Sequence, residues 1–141
     1  GYHSVAILLA DGSVVVGGDP PGTWGDGGHT PNERYYPSYY FKARPVITSA
    51  SGTTNYGAGF TINTPNAASI TEVVLLRPGA VTHGFNMSQR FIGCAITGGG
   101  ATSIQAQAPP NGNVAPPGWY LLFIVDAARV PSVAKWIRLT P

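Results

Sequence analysis

The sequence predicts an all-β fold, and three observations predict it. Helical periodicity is nearly absent along the 141 residues. Short runs rich in Val, Ile, Tyr, Phe and Thr take its place, and clusters of Gly, Pro and Asn break those runs apart. The 19 Gly and 13 Pro residues are turn formers, and the 43% hydrophobic share is spread through strand-sized segments. A chain of this length is one domain in size and buries a respectable core.

In chain order, residues 5–9 and 13–16 flank Ala10-Asp11-Gly12, and Asp-Gly is a strong hairpin turn signal. A two-stranded hairpin is marginal alone in water, so Ile7, Leu9, Val14 and Val16 need a partner to cover them. The stretch from Asp19 to Gly28 is too rich in Gly and Pro to hold a ladder, and residues 34–41 are dense in Tyr and Pro. Residues 19–44 therefore read as a Gly/Pro/Tyr-rich loop and linker after the hairpin of residues 1–18, with a hinge at Arg44-Pro45. Strands follow near residues 45–50, 57–63, 70–77, 91–97, 103–107, 119–126 and 133–140. About seven strands with turn signals between them make residues 45–141 an immunoglobulin-like β-sandwich. Trp119, Tyr120 and Phe123 read as core of a central strand, and Gly98-Gly99-Gly100 as a turn.

Composition excludes several function classes. The formal charge of +2 comes from basic residues scattered singly, not gathered on a face as nucleic-acid binding requires. No run approaches the ~18 apolar residues of a membrane span. No signal peptide opens the chain, and the absence of an initiator Met suggests a processed or truncated form. The single Cys94 excludes an internal disulfide and reads as a small, inert, buried thiol. Ser4, Ser88 and Ser132 lack a hydrolase setting, and the glycine triplet precedes no helical pattern that would make it a phosphate loop. His29 reads as a polar loop residue, not a ligand with Asp19 or Asp26. Trp24, Tyr35, Tyr36, Tyr39 and Tyr40 either pack the linker or offer stacking faces to a sugar or partner. Asn86-Met87-Ser88 is a glycosylation triplet, usable only in a secreted protein.

Four segments carry a resemblance, in the same order across nearly the whole chain. They are Tyr2-His3-Ser4 with the Val- and Leu-rich run to Gly18, Arg34-Tyr35-Tyr36-Pro37-Ser38-Tyr39-Tyr40 with Arg44-Pro45, Thr82-His83-Gly84 onward to Arg90, and Pro116 to Phe123 with Val130-Pro131-Ser132-Val133-Ala134. Together they resemble the C-terminal end of the secreted copper radical oxidases, the galactose oxidase and glyoxal oxidase family, with the Tyr-rich linker leaning to the glyoxal oxidase branch. The resemblance implies that the hairpin corresponds to the last strands of a β-propeller and the rest to the family's C-terminal sandwich. It implies that Tyr2 is the axial copper tyrosine and takes the substrate's proton, and that His3 and His83 are copper ligands. Imidazole and phenolate make a mixed N,O set suited to copper. Neighbouring strand residues point to opposite faces, so Tyr2 and His3 can share an ion only where the backbone is irregular.

The family's radical cofactor is a second tyrosine cross-linked to a cysteine, and both belong to propeller segments upstream of Gly1. Cys94 is not that cysteine. The expectation is therefore a fragment whose parent oxidises aldehydes or primary alcohols with oxygen to give hydrogen peroxide, the chain alone being inactive and binding copper weakly or not at all. Its natural partner is then the missing N-terminal propeller. The competing expectation is a stand-alone secreted module that binds carbohydrate or a cell-surface partner, or self-associates through the exposed edge of its hairpin.

Overall fold

The computed structural model describes residues 2–19, 32–83 and 85–141, and the side chains of Tyr2, His3 and Asp19 fall outside that description. Trp24, Asp26 and His29 lie outside it altogether.

Among the described residues strands dominate, with two short 3-10 turns at Ser38–Phe41 and Ala67–Ser69. β1 (Tyr2–Leu8) and β2 (Val14–Asp19) form the antiparallel hairpin expected around Asp11-Gly12. Its turn is closed by Gly12 N–H donating to the Leu9 carbonyl at 2.9 Å, and Leu9 N–H donating to Ser13 O at 2.9 Å. β3 (Glu33–Tyr35) adds a third strand to this hairpin, through a segment read from sequence as loop.

The remaining strands form two stacked sheets and a small finger. One sheet holds five strands in the order β10 (Arg90–Cys94), β7 (Ile70–Arg77), β13 (Gly118–Asp126), β14 (Lys135–Thr140), β5 (Thr53–Asn55). The other holds β11 (Ile96–Gly100), β12 (Ser103–Gln107), β6 (Gly59–Asn63) and β4 (Ser49–Ala50). β8 (Val81–Thr82) and β9 (Phe85–Asn86) pair with each other alone. Only the β14–β5 pair is parallel among these ladders.

The core lies between the two sheets because alternate residues of each strand point inward. Tyr120, Leu122 and Ile124 of β13 meet Leu75 of β7, Ile137 and Leu139 of β14, and Phe60 and Ile62 of β6 in one cluster. Tyr120 is fully buried and places its hydroxyl on the Pro116 carbonyl at 2.6 Å, so its one polar atom is satisfied.

Three sequence readings are corrected. The expected strand at 91–97 is two strands: it leaves the five-stranded sheet at Cys94 and enters the four-stranded sheet at Ile96, as strands do when they turn a corner between layers. Gly98-Gly99-Gly100 lies inside β11, with a register irregularity between Ile96 and Gly98. Gly99 has φ +151°, and a Cβ there would sit 2.3 Å from the Ser103 carbonyl oxygen, so the glycine serves close strand approach. Trp119 alternates away from the core and is 54% exposed, whereas Tyr120 and Phe123 are buried as expected.

The hairpin packs on the outer face of the five-stranded sheet. Leu8 and Ala10 rest against Leu121, Phe123 and Ala134 in a second, smaller cluster. Arg44 clamps the junction: its guanidinium donates to the carbonyl of Asp11 in the hairpin turn and to those of Pro131 and Ser132 in the sandwich. Asp11 in turn pairs with Arg34 and accepts from the Ser13 hydroxyl at 2.7 Å. Burial opposes charge on Asp11, but the Ser13 hydrogen bonds, the Arg34 charge and the Tyr40 hydroxyl outweigh it and hold the carboxyl below its ordinary range.

Candidate metal centre

The finger grows from the end of β7. Val81 faces Asn86 and Thr82 faces Phe85, which leaves His83 at the turn between the two strands. Such turns favour positive φ at the first central position, usually filled by Asn, Asp or Gly. Here the position holds His83, with φ +54°. Histidine is one of the non-glycine residues enriched at positive φ, and the turn leaves this one exposed at the tip of the finger. The His83 ring is oriented by its neighbour: Thr82 Oγ1 lies 3.0 Å from Nδ1.

The base of the finger is tied by Asn86. Its carboxamide oxygen accepts from Ala80 N–H at 3.2 Å and Gln89 N–H at 3.3 Å, and its Nδ2 donates to Gln89 Oε1 at 3.0 Å. The asparagine of the glycosylation triplet thus serves as an internal brace.

The finger is not isolated from the start of the chain. β8 and β1 run close, with Cα atoms of the two strands within 8 Å of each other. β1 is itself irregular where the sequence demands it. Tyr2 pairs with Asp19 but Val5 pairs with Gly17, so three steps on β1 match two on β2 and one residue bulges between Tyr2 and Val5. Gly18 makes room for that bulge, because a Cβ at this position would lie 2.8 Å from the Ser4 Cα. The backbone therefore brings β1, which begins at Tyr2, beside β8, which ends at Thr82 just before His83. Cys94 is remote in character: it is buried in the sandwich core, and burial pushes its thiol up to about 11.

The profile of the galactose oxidase-like Early set domain matches residues 44–139. This chain belongs to the galactose oxidase-like Early set domain family. Galactose oxidase of Gibberella zeae is 38% identical over 147 residues, covering 99% of this chain and 21% of that protein. An aldehyde oxidase of Arabidopsis thaliana is 35% identical over 163 residues, covering 98% of this chain and 26% of that protein. Among solved structures, a fungal alcohol oxidase of the AA5 family in complex with copper aligns with a TM-score of 0.86 and 32% identity, covering 98% of this chain and 31% of that one. The galactose oxidase-like chain thus spans about a fifth to a third of the length of these relatives. Its fold is all-β, with the immunoglobulin-like domain that the strand pattern predicts.

Whether such a chain suits copper is decided by donor chemistry. A phenol and two imidazoles are the N,O donor set that copper(II) favours, and His83 stands exposed with its ring oriented by a hydroxyl. The three candidate residues therefore fit the metal by type. Among the described residues, no group of three or more His, Cys, Asp or Glu is gathered to hold a metal ion. Sequence reasoning missed Thr82 and Gly18, the residues that orient the His83 ring and admit the bulge. Both act through contacts that no spacing rule displays. No helix among the described residues is long and apolar enough to cross a membrane.

Proposed function

We propose that this chain is the C-terminal part of a secreted copper radical oxidase, and that its sandwich exists to present His83. The hairpin is then the closing element of a propeller, residues 19–44 the linker, and residues 45–141 the scaffold of the finger. The observation that carries this reading is the pairing of two irregularities. A histidine at φ +54° tips the finger, and the finger runs beside a strand bulged between Tyr2 and Val5.

In the intact parent, Tyr2, His3 and His83 would hold copper, which would supply one-electron redox chemistry toward an aldehyde hydrate or primary alcohol and oxygen. The part played by this chain is orientation and proton handling. Thr82 would fix the His83 ring, Gly18 and the bulge would set the spacing of Tyr2 and His3, and the Tyr2 phenolate oxygen would take the proton of the substrate alcohol and become a phenol. The tyrosine and cysteine of the radical cofactor belong to the preceding propeller. Consequently the pure 141-residue chain binds copper weakly and makes no hydrogen peroxide in a peroxide-coupled assay with aldehydes or alcohols. Robust aldehyde oxidation by that chain contradicts the proposal. So does a source protein whose intact mass is that of the 141 residues alone.

A second reading, a stand-alone binding module for carbohydrate or a cell-surface partner, draws on the exposed aromatic rings Tyr35, Tyr36 and Phe41. The same intact-mass measurement decides between the two.

A further inference from the structure

The finger is too short to hold itself in place. β8 and β9 are two residues each and pair only with one another, and a ladder of that length is marginal in water. What fixes His83 must therefore act at the base of the finger. One side chain there ties both arms. Asn86 Oδ1 accepts from the N–H of Ala80, on the incoming arm, at 3.2 Å and from the N–H of Gln89, on the returning arm, at 3.3 Å. Its Nδ2 donates to Gln89 Oε1 at 3.0 Å, and Met87 N–H donates to the Ala80 carbonyl at 3.2 Å. Next along the chain, Arg90 Nη1 donates to the carbonyls of Asn113 and Val114 at 3.1 and 2.8 Å, which moors the returning arm to the sandwich. Gly79 leaves the space the brace needs: a Cβ there would lie 3.0 Å from Asn86 Nδ2 and 3.1 Å from Oδ1.

The same nitrogen is the acceptor atom of Asn86-Met87-Ser88, the one Asn-X-Ser/Thr triplet in the chain. Attachment of a glycan joins the anomeric carbon of a sugar pyrophosphate donor to Nδ2, which gives up a proton as the pyrophosphate leaves. The product is a secondary amide, planar and trans, so the sugar stands on the same side as Oδ1. In the folded finger Gln89 fills that side, because its N–H and its Oε1 both meet the carboxamide. A sugar there displaces Gln89 and unties the returning arm from Ala80. We infer that Asn86 is a positioning residue for His83, and that this use of its carboxamide excludes an N-linked glycan at the triplet. The inference rests on the reading of His83 as a copper ligand. It adds a residue that acts through the finger without touching the metal, and a modification that the braced finger cannot carry.

Amide 15N relaxation of the metal-free 141-residue chain tests it, with copper(II) broadening as a separate arm. Order parameters at Thr82, His83 and Phe85 are expected at about 0.85, the value of rigid backbone, and to fall below about 0.6 in Asn86→Ala. Asn86→Asp keeps both bonds accepted by the oxygen and should restore most of that order. Gly79→Ala crowds the carboxamide and should lower it, whereas Ser88→Ala removes the triplet, spares the brace and should change nothing. The buried strands β7 and β13 should keep their order in every variant, which separates positioning from unfolding. A finger that stays ordered in Asn86→Ala overturns the inference. Chain secreted from a eukaryotic host should carry no sugar on Asn86 by peptide mass, or carry it only in molecules whose finger is loosened. A sugar-bearing molecule with an ordered finger overturns the inference. On adding copper(II), Asn86→Ala should lose the joint broadening of Tyr2–Ser4 and Thr82–Phe85, and Asn86→Asp should regain it. Joint broadening retained in Asn86→Ala overturns the inference alone. Its absence from the unsubstituted chain contradicts the copper reading, and the order parameters of the metal-free chain then still decide whether Asn86 positions His83.

Discussion

β7 and the finger that follows it are contiguous in sequence and obey opposite rules. In β7, Val73 and Leu75 are almost wholly buried and face a core assembled from both sheets. A few residues later, Phe85 and Met87 are 68% and 77% exposed, and His83 stands at the tip in a left-handed conformation. One region spends its apolar residues on its own stability; the other displays them. The difference separates the part of the chain that specifies the fold from the part that, in the function proposed above, presents His83.

The sharpest way to break that contrast is a pair of truncations. Leu122→Ala removes a fully buried side chain and is expected to cost about 3 kcal/mol in chemical denaturation, by lost transfer energy and a residual cavity. Phe85→Ala at the finger is expected to stay within about 0.5 kcal/mol. Equal losses at both sites would mean that the finger is part of the core.

Arg44→Ala comes next, because it removes the clamp on the carbonyls of Asp11, Pro131 and Ser132. Hydrogen bonds from a charged donor to backbone carbonyls place the expected loss at about 2 kcal/mol. The hairpin should become sensitive to limited proteolysis while the sandwich remains resistant. Tyr120→Phe is smaller, about 1 kcal/mol by thermal or urea unfolding, since it deletes only the hydroxyl that bonds the Pro116 carbonyl.

The smallest effect is a pH dependence at the junction. The Asp11 carboxyl is held below its ordinary range, so its contribution is fully present above the unfolded value of about 4 and disappears as pH falls through the folded value. Thermal scans should therefore show the hairpin loosening as pH drops below about 4. Asp11→Asn should flatten that part of the profile, and an unchanged profile would remove Asp11 from the junction's energetics.

Much of the fold was legible because strand alternation and turn chemistry are local. Asp11-Gly12 announced its hairpin, and the apolar runs of β6, β7, β12, β13 and β14 stood where the strands are. The misreadings arise where tertiary geometry overrides local pattern. Glu33–Tyr35 becomes a strand only because β2 offers an edge. Gly99 sits in a strand because Ser103 approaches too closely for a side chain. Trp119 resembles core by type, yet the pleat turns it outward. The strands β5, β8 and β9 are two or three residues long, too short for any period to reveal. For the candidate site, Tyr2, His3 and His83 entered through resemblance to a family. Composition and spacing alone could not join positions 80 residues apart, nor indicate that Thr82 holds the His83 ring.

Paramagnetic broadening of backbone amides on adding copper(II) to the isotopically labelled 141-residue chain tests the central claim most directly, since even weak occupancy reports position. The expected result is joint broadening around Tyr2–Ser4 and around Thr82–Phe85, with His83→Ala abolishing it at both. Broadening confined to one of these segments, or unchanged near Tyr2 in the His83→Ala variant, would contradict the claim that the sandwich presents His83 to the first strand.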